Sequence, residues 1–227
     1  MKPARDVPRR LTTPELAAAA HRLAARDRDL AGILERHGPP PLWARPPGFD
    51  TLVRIILEQQ VSLASGAAIY RRVAAGIDPF TPARCAAAGE ERLRSLGVTR
   101  QKSGYIVALA RSVVSGALDL DRVAALPDEG ARAALVGLKG IGPWSADVYL
   151  LMALRRPDVW PAADLALLSA ARRVKRLRRP PSPERVAALA EAWRPYRSVA
   201  ARMLWQHYLA GNRPLMEPRD LNRRRPS

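Results

Sequence analysis

The sequence predicts an all-α fold. Apolar residues recur at the spacing of amphipathic helices along nearly the whole chain, and the apolar–polar alternation typical of half-buried strands is absent. The 227 residues are enough for one full-sized domain or two small lobes. No internal repeat of roughly 20 to 50 residues is present, so a solenoid or a propeller is not expected.

Composition narrows the possible functions. The formal net charge of +17, from 38 basic and 21 acidic residues, favours a nucleic acid or another anionic surface as partner; a coding bias toward arginine is the alternative. The single cysteine, Cys85, excludes a disulfide framework, a zinc site built from cysteines and a four-cysteine iron–sulfur cluster. No apolar run reaches the roughly 18 residues of a membrane span, and the basic N-terminus lacks the apolar run of a secretory signal. We therefore expect a cytoplasmic protein without a membrane partner.

The predicted helices follow from local signals, taken in chain order. Thr13 is an N-cap residue followed by proline, and a helix of about 15 residues is expected after it. A rigid, proline-rich connector covers His37–Gly48. Helical spacing resumes over 49–76, and the following segment is expected to hold two or three short helices broken at Gly97 and Gly104.

The second half of the chain continues this pattern. Asp128 is expected to cap one helix, Pro143 to begin the next, and Asp164 to stand at the N-cap of a third. Two final helices are expected to meet at Pro195.

The stretch LKGIGPWSAD, Leu138–Asp147, predicts a tight turn between two helices. Gly140 and Gly142 permit positive φ and leave the backbone amides uncovered, and Pro143 sets the start of the second helix. Amides exposed at a helix N-terminus form an anion site, and in a basic protein the expected anion is a DNA phosphate. An ordinary glycine cap of the first helix is the alternative.

This stretch and the segment DVWPAADLAL resemble the helix-hairpin-helix DNA glycosylases, most closely the branch called DNA-3-methyladenine glycosylase II. Further blocks carry the resemblance in the family's order: RIILEQQVSLASGAA, GVTRQKSGYIVALA and WRPYRSVAARMLWQ. Together they cover most of Phe49–Tyr208. The resemblance implies two helical lobes, with the active-site cleft between them, that remove alkylated bases from double-stranded DNA.

The family's catalytic aspartate lies about twenty residues beyond the hairpin, at the start of the next helix, and Asp164 stands twenty residues after Trp144. The helix dipole and backbone amides favour an ionised carboxylate there. Such a carboxylate can stabilise positive charge developing on the sugar and orient the attacking water. A simple N-cap is the alternative. By family position, the resemblance makes Asp147 and Asp158 structural.

Trp144 occupies the position at which bifunctional relatives, such as 8-oxoguanine glycosylase, carry a catalytic lysine. Because tryptophan cannot form a Schiff base, the resemblance implies a monofunctional enzyme that leaves an abasic site and does not cut the strand. The Trp144 face is also expected to attract a cationic alkylated base, with core packing as the alternative. Lys139, in the hairpin, is better placed to contact a phosphate.

The resemblance also assigns the DNA contacts. Gln60, in EQQVS, matches the position from which the family inserts a wedge into the gap left by the extruded base; a solvated glutamine is the alternative. Gln59 and Ser62 are expected to contact neighbouring bases or to cap locally. Phosphate binding is assigned to the hairpin residues Lys139, Gly140, Ile141, Gly142 and Trp144. A structural Na⁺ or K⁺ is expected on the backbone carbonyls of Val136, Leu138 and Ile141, and no cofactor is required.

Better-known bacterial members carry a sheet domain ahead of the helical core. The residues before Phe49 suggest one helix and a proline connector, so we expect no N-terminal sheet domain. HGPPPLW, with Trp43, is the candidate replacement for that domain's wall of the base pocket. The resemblance gives 3-methyladenine and 7-methylguanine as substrates, and a wider pocket would also admit 1-methyladenine or 3-methylcytosine.

We predict one glycosylase domain over 1–227. Its predicted parts are a central lobe over about 49–161, the hairpin at 138–144, a second lobe over about 13–48 plus 162–212, and a tail over 213–227. A monomer associated with the bacterial nucleoid is expected. One alternative is a non-catalytic helix-hairpin-helix DNA-binding module, which would not need Asp164. Another is a glycosylase for a different lesion, although the adenine-excising and thymine-DNA relatives usually carry a cysteine cluster, which this chain lacks.

Overall fold

The computed structural model describes residues 8–211, and its regular structure is helical throughout. These residues form twelve α-helices and a short 3-10 helix, Glu191–Trp193, and they contain no strand. The α-helices are Thr13–Ala24 (α1), Arg28–His37 (α2), Phe49–Glu58 (α3), Leu63–Gly76 (α4), Pro82–Ser95 (α5), Arg100–Val114 (α6), Leu120–Ala125 (α7), Asp128–Val136 (α8), Pro143–Met152 (α9), Leu165–Val174 (α10), Pro183–Ala190 (α11) and Arg197–Gly211 (α12). The all-α prediction is confirmed for this part of the chain, whereas the predicted tail at 213–227 lies outside it. None of these helices is long and apolar enough to cross a membrane.

Two predicted helix caps are displaced. Thr12, not Thr13, caps α1: its hydroxyl accepts the Glu15 amide, and the Glu15 carboxylate accepts the Thr12 amide, which makes a capping box. Asp128 is the first residue of α8 and not its cap. Its carboxylate instead lies 3.3 Å from the guanidinium of the buried Arg156.

The glycines in or next to α5 and α6 interrupt or end a helix only where their φ is positive. Gly97 has φ +90° and ends the turn after α5, as expected. Gly104 lies inside α6, so the predicted break there is wrong. Gly89, within α5, has φ +70° and interrupts that helix. A glycine costs a helix only about 1 kcal/mol relative to alanine, so the packing of α6 against α3 and α5 decides its path.

Buried apolar side chains form two clusters. The first is built from helices α3 to α9 and the residues up to Val159. The second joins α1 and α2 to α10, α11 and α12, together with Trp160. Helix α9 serves both, because Leu150 lies in the first cluster and Leu151 in the second. The hairpin leads into α9 and Asp164 leads into α10, so both predicted functional segments adjoin the boundary between the clusters.

A buried arginine forms hydrogen bonds with several segments at the boundary between the two clusters. Arg202 of α12 donates to the backbone carbonyls of Leu42 at 3.0 Å, Leu151 at 2.6 Å and Ser198 at 3.1 Å. The Ser198 hydroxyl accepts the Val159 amide and donates to the Val159 carbonyl. A buried cation is stable only when such dipoles replace its water. One helix therefore holds the proline connector, the end of α9 and the segment that leads to Asp164.

Candidate active site

The carboxylate of Asp164 is held by three N–H donors at the start of α10. Its Oδ1 accepts the Leu167 amide at 2.9 Å, as an N-cap does, and also the indole N–H of Trp205 at 3.0 Å. Its Oδ2 accepts the indole N–H of Trp144 at 2.9 Å. The residue is 9% exposed, and no lysine or arginine of residues 8–211 pairs with it. All its donors are neutral, so its charge is oriented without being neutralised.

Trp205 is a site residue that sequence reasoning missed. It lies on α12 among buried residues and is 8% exposed. Its block, WRPYRSVAARMLWQ, belongs to the family pattern, but nothing in an apolar helix shows that one indole N–H faces another helix. The contact depends on how α12 packs against α10.

The two tryptophans predicted for the base pocket behave differently. Trp144 packs against the first apolar cluster while its N–H reaches Asp164, so it combines core packing with a place in the site. Trp43 has φ +45° and packs against the second cluster. No hydrogen bond within residues 8–211 joins Trp43 to Asp164 or Trp144.

The two hairpin glycines also differ. Gly140 has φ +88°, and a Cβ there would overlap the Tyr105 ring, so no other residue fits. Gly142 has φ −84° and is the N-cap of α9. The expectation of positive φ at Gly142 is therefore wrong. A Cβ on Gly142 would meet nothing within 4 Å, so the hairpin surface is open there.

The hairpin leaves several amides available. The amides of Gly140, Gly142 and Trp144 donate to no acceptor within residues 8–211, and the Lys139 side chain is exposed. Ile141 does not fit its predicted role in phosphate binding. Its side chain is buried, and its amide donates to the Leu138 carbonyl at 3.0 Å. The amides at the start of α9 and the Lys139 ammonium are the groups suited to an anion.

The carbonyls proposed for a monovalent cation retain free lone pairs. Those of Val136 and Ile141 accept no hydrogen bond from residues 8–211, and that of Leu138 accepts one, from the Ile141 amide. Carbonyl oxygens are ligands for hard cations, so the set suits Na⁺ or K⁺. No group of three or more His, Cys, Asp or Glu side chains in this part of the chain could hold a metal ion.

The predicted wedge residue stands at the tip of the turn between α3 and α4. Gln60 is exposed and has φ +55°, an uncommon conformation for a residue with a side chain. Val61 and Leu63 beside it are large exposed apolar residues. Ser62 is the N-cap of α4, and its hydroxyl accepts the Ser65 amide at 3.1 Å. Ser62 therefore caps locally, which was the second of its two expected roles.

Gln59 is bound to the hairpin within the protein. Its side-chain amide donates to the Gly140 carbonyl and to the Ser145 hydroxyl, both at 2.9 Å. Lys102, which sequence reasoning also missed, donates to the carbonyls of Leu57 at 2.9 Å and Gln59 at 2.7 Å. Burial lowers the pKa of Lys102.

The rival carboxylates have cationic partners. Asp147 forms a bidentate pair with Arg132, at 2.8 and 3.1 Å. Asp158 pairs with Arg194 at 2.8 Å and with Arg197 at 3.0 Å. Both carboxylates are therefore neutralised within the fold, unlike Asp164.

The family model and the relatives that match this chain all belong to DNA repair proteins. A family model described as "HhH-GPD superfamily base excision DNA repair protein" matches residues 53–195. DNA-3-methyladenine glycosylase 2 of Escherichia coli is 30% identical over 200 residues, which cover 81% of this chain and 66% of that protein. YfjP of Bacillus subtilis is 27% identical over 185 residues, which cover 78% of this chain and 64% of that protein. The chain thus matches just under two thirds of the length of each.

The fold is also similar to that of a solved DNA glycosylase structure. The structure of Schizosaccharomyces pombe 3-methyladenine DNA glycosylase Mag1, in complex with abasic DNA, superposes with a TM-score of 0.74. The match covers 83% of this chain and 95% of that chain, at 24% identity. This similarity shows that the helical arrangement is shared.

Proposed function

Since the chain belongs to the HhH-GPD superfamily of base excision DNA repair proteins, we propose that it is a monofunctional DNA glycosylase that hydrolyses the bond between an alkylated base and its sugar. Its partner is double-stranded DNA. Relatives named as DNA-3-methyladenine glycosylases and the Mag1 complex with abasic DNA support this proposal. The observation that carries the proposal is the carboxylate of Asp164, which has no cationic partner within residues 8–211. It is oriented by the indoles of Trp144 and Trp205 and by the Leu167 amide.

The proposed chemistry follows from that carboxylate. Cleavage sends the electron pair of the glycosidic C–N bond to the base and leaves positive charge on the sugar. Alkylated bases such as 3-methyladenine are cationic in DNA, so they depart as neutral molecules and need little help from a general acid. Asp164 stabilises the sugar cation, and its Oδ2, which accepts one hydrogen bond, has a lone pair left to orient water. Water adds to the sugar carbon, and its extra proton is released to the solvent, because the base has already left as a neutral molecule.

Strand cleavage by lyase chemistry is not part of this proposal. Trp144 offers no amine, and its indole N–H is already directed at Asp164. Lys139 is the amine in the hairpin and is exposed. Borohydride is therefore expected to trap no covalent adduct with lesion-containing DNA. An adduct that disappears in Lys139→Ala would reassign the nucleophile.

DNA binding is proposed along a surface built from three segments. These are the turn after α3, the hairpin and the start of α10, which are joined by the Gln59–Gly140 and Trp144–Asp164 hydrogen bonds. Large exposed apolar side chains lie in or next to all three segments: Val61 and Leu63 at the turn, Val136 at the end of α8 just before the hairpin, and Leu165 at the start of α10. Leu165, next to Asp164, is 80% exposed. Such apolar groups suit contact with bases and sugars, while the hairpin amides and Lys139 suit phosphates.

The proposed substrates are cationic alkylated bases. 3-Methyladenine and 7-methylguanine are the first candidates, and 1-methyladenine and 3-methylcytosine share the same positive charge. The partly exposed Trp144 ring beside Asp164 favours a cation over a neutral base. Trp43, which packs on the second cluster, is proposed as a second wall of the pocket, and slower excision by Trp43→Ala would support that role.

The test is incubation with methylated duplex DNA, followed by chromatography of the released bases. Release of free alkylated bases, with the strand intact until alkali is added, is the expected result. A protein that binds duplex DNA but releases nothing would be the non-catalytic module. Parallel incubations use duplexes that carry an oxidised or a mismatched base. Release from one of these duplexes, with none from methylated duplex, would identify a different lesion class.

A further inference from the structure

The turn that carries Gln60 is attached to the hairpin by the side chain before it. The Gln59 amide nitrogen donates one hydrogen bond to the Gly140 carbonyl and one to the Ser145 hydroxyl. A glutamine side chain has two N–H donors, and both are used here. Ser145 is itself buried, so this contact lies beneath the hairpin and not on the DNA-facing surface.

The same turn and the hairpin share α6 as a support. The Lys102 ammonium satisfies the carbonyls of Leu57 and Gln59 at the end of α3, as basic side chains do at helix C-termini. One turn further along α6, the Tyr105 ring fills the space beside Gly140. The position of the turn relative to the hairpin is therefore determined by side chains rather than by a flexible loop.

Gln60 follows Gln59 directly and is exposed at φ +55°. A phosphate held at the hairpin sets the register of the DNA strand, because phosphate contacts position the protein on the duplex. We propose that Gln59 is a positioning residue that couples phosphate binding at the hairpin to insertion of Gln60 during base extrusion. This proposal rests on the proposed glycosylase function.

The test replaces Gln59 and compares two duplexes. In one duplex the lesion faces its normal partner base, and in the other it faces an abasic-site analogue, so that no base pair has to be broken. Gln59→Met, which keeps the length and removes both donors, is expected to slow single-turnover excision at least about tenfold on the paired duplex and less than about twofold on the other. Affinity for undamaged duplex and its salt dependence are expected to be unchanged, because the hairpin amides remain.

Matched variants separate this role from a loss of structure. Gln101→Met makes the same chemical change on α6, where Gln101 donates only to the Tyr105 hydroxyl, and no change in either rate is expected. Lys102→Met removes the other attachment of the turn and is expected to reproduce the selective loss, while Lys102→Arg restores it. Thermal melts monitor folding, and Gln59→Asn, too short to reach the hairpin, serves if Gln59→Met does not fold.

Three outcomes would overturn the proposal. Equal slowing on both duplexes would place the damage at Asp164, and weaker binding of undamaged duplex with a flatter salt dependence would limit Gln59 to shaping the hairpin. Unchanged rates on both duplexes would show that no coupling exists. If the wild type releases no base from either duplex, the glycosylase function fails. The coupling is then tested separately by the fluorescence of 2-aminopurine placed at the lesion position. A fluorescence increase with the wild type that is absent with Gln59→Met supports the coupling, and equal signals from the two proteins overturn it.

Discussion

Asp147 and Asp164 are buried carboxylates, at 3% and 9% exposure; Asp147 lies within α9, and Asp164 is the N-cap of the next helix, α10. Asp147 receives both of its side-chain hydrogen bonds from the guanidinium of Arg132. Asp164 receives its hydrogen bonds from two indoles and one backbone amide. Each oxygen of both groups has a donor, so the contrast lies in the charge of the donors and not in their number.

The difference separates a structural from a reactive carboxylate. A cation at hydrogen-bond distance cancels the field of a carboxylate, whereas neutral dipoles orient the group and leave its net charge in place. A charge fixed in that way, and shielded from water, stabilises positive charge that develops nearby. Asp164 has this arrangement, while Asp147 and Asp158 are both paired with arginine.

The largest expected effect follows from removing the charge of Asp164. Asp164→Asn is expected to lower single-turnover excision by about 10²- to 10³-fold, the usual loss when one electrostatic contact to a transition state is removed. Affinity for duplex DNA is expected to stay the same or rise, because one negative charge facing an anionic polymer is lost. Base release and fluorescence anisotropy measure the two quantities.

Asp147→Asn is the matched control for that experiment. It makes the same substitution at a carboxylate whose charge is already neutralised, and the excision rate is expected to change by less than about twofold. An Asp164→Asn variant that excises at the wild-type rate, or an Asp147→Asn variant that loses as much, would end the distinction between the two groups.

Neighbouring residues show how far the sequence predicts this site. Asp164 is identified because it stands at a helix start and because its spacing from the hairpin matches that of the family's catalytic aspartate. Gln59 and Gln60 are identical side chains, yet one binds the hairpin and the other is exposed at positive φ. The separation arises because α3 ends at Glu58 and the backbone turns there, and no local signal in EQQVS shows it.

The features that the sequence does not predict depend on contacts between distant segments. In GIG, only Gly140 has positive φ, and the Tyr105 ring from α6 fills the space that a Cβ there would occupy. Trp205 contacts Asp164 across 41 positions of sequence, and Arg202 donates to carbonyls of two distant segments, at Leu42 and Leu151. Helix type follows from the local pattern, so the all-α class is predictable, whereas the partner of each buried polar group is decided by packing.

Breaking the ion pair between Arg132 and Asp147 is expected to give the second-largest effect, a loss of stability. Arg132→Met leaves the Asp147 carboxylate buried without its cation and is expected to lower the free energy of unfolding by about 2 kcal/mol. This is less than for a fully buried pair, because the Arg132 side chain is 40% exposed. Urea denaturation measures the loss, and the excision rate of the folded protein is expected to stay near the wild-type value.

The pH dependence of that loss checks its cause. Burial raises the pKa of Asp147 above its ordinary value of 3.8, and the hydrogen bonds from Arg132 oppose this rise, so the pKa climbs further in Arg132→Met. Between 3.8 and the raised pKa, the folded variant binds a proton that the unfolded chain does not. Stability of the variant is therefore expected to fall as pH rises through that window. A loss that is the same at every pH would point to lost packing instead.

Removing an indole N–H that donates to Asp164 is expected to give the next-largest effect, a slower excision. Trp205→Phe keeps an aromatic ring but removes the N–H bound to Asp164 Oδ1, and excision is expected to slow about tenfold, or about 1.4 kcal/mol in transition-state free energy. Binding to undamaged duplex is expected to be unaffected. Trp144→Phe removes the donor to Oδ2 and is expected to act similarly. Faster excision by either variant would show that the indoles restrain the carboxylate more than they orient it.

The smallest effect tests whether binding at the hairpin is separate from chemistry at Asp164. In Gly142→Ala, the backbone has φ −84° and the added methyl meets nothing within 4 Å, so the fold is expected to be retained. The methyl lies where a phosphate would approach the amides at the start of α9, so affinity for damaged and undamaged duplex should fall equally, by about fivefold, or about 1 kcal/mol. The slope of log affinity against log salt should flatten by about 0.9 if one phosphate contact is lost.

Gly140→Ala is the contrasting variant for Gly142→Ala, because its methyl would overlap Tyr105 and strain a backbone at φ +88°, and it should lower the melting temperature. The two glycines of one hairpin should thus separate, one affecting DNA affinity and the other stability. Excision by Gly142→Ala at saturating enzyme should match the wild type, since Asp164 and its donors are untouched. If Gly142→Ala melts earlier while affinity and salt slope stay at wild-type values, the hairpin is an ordinary helix cap, and phosphate binding belongs elsewhere on the protein.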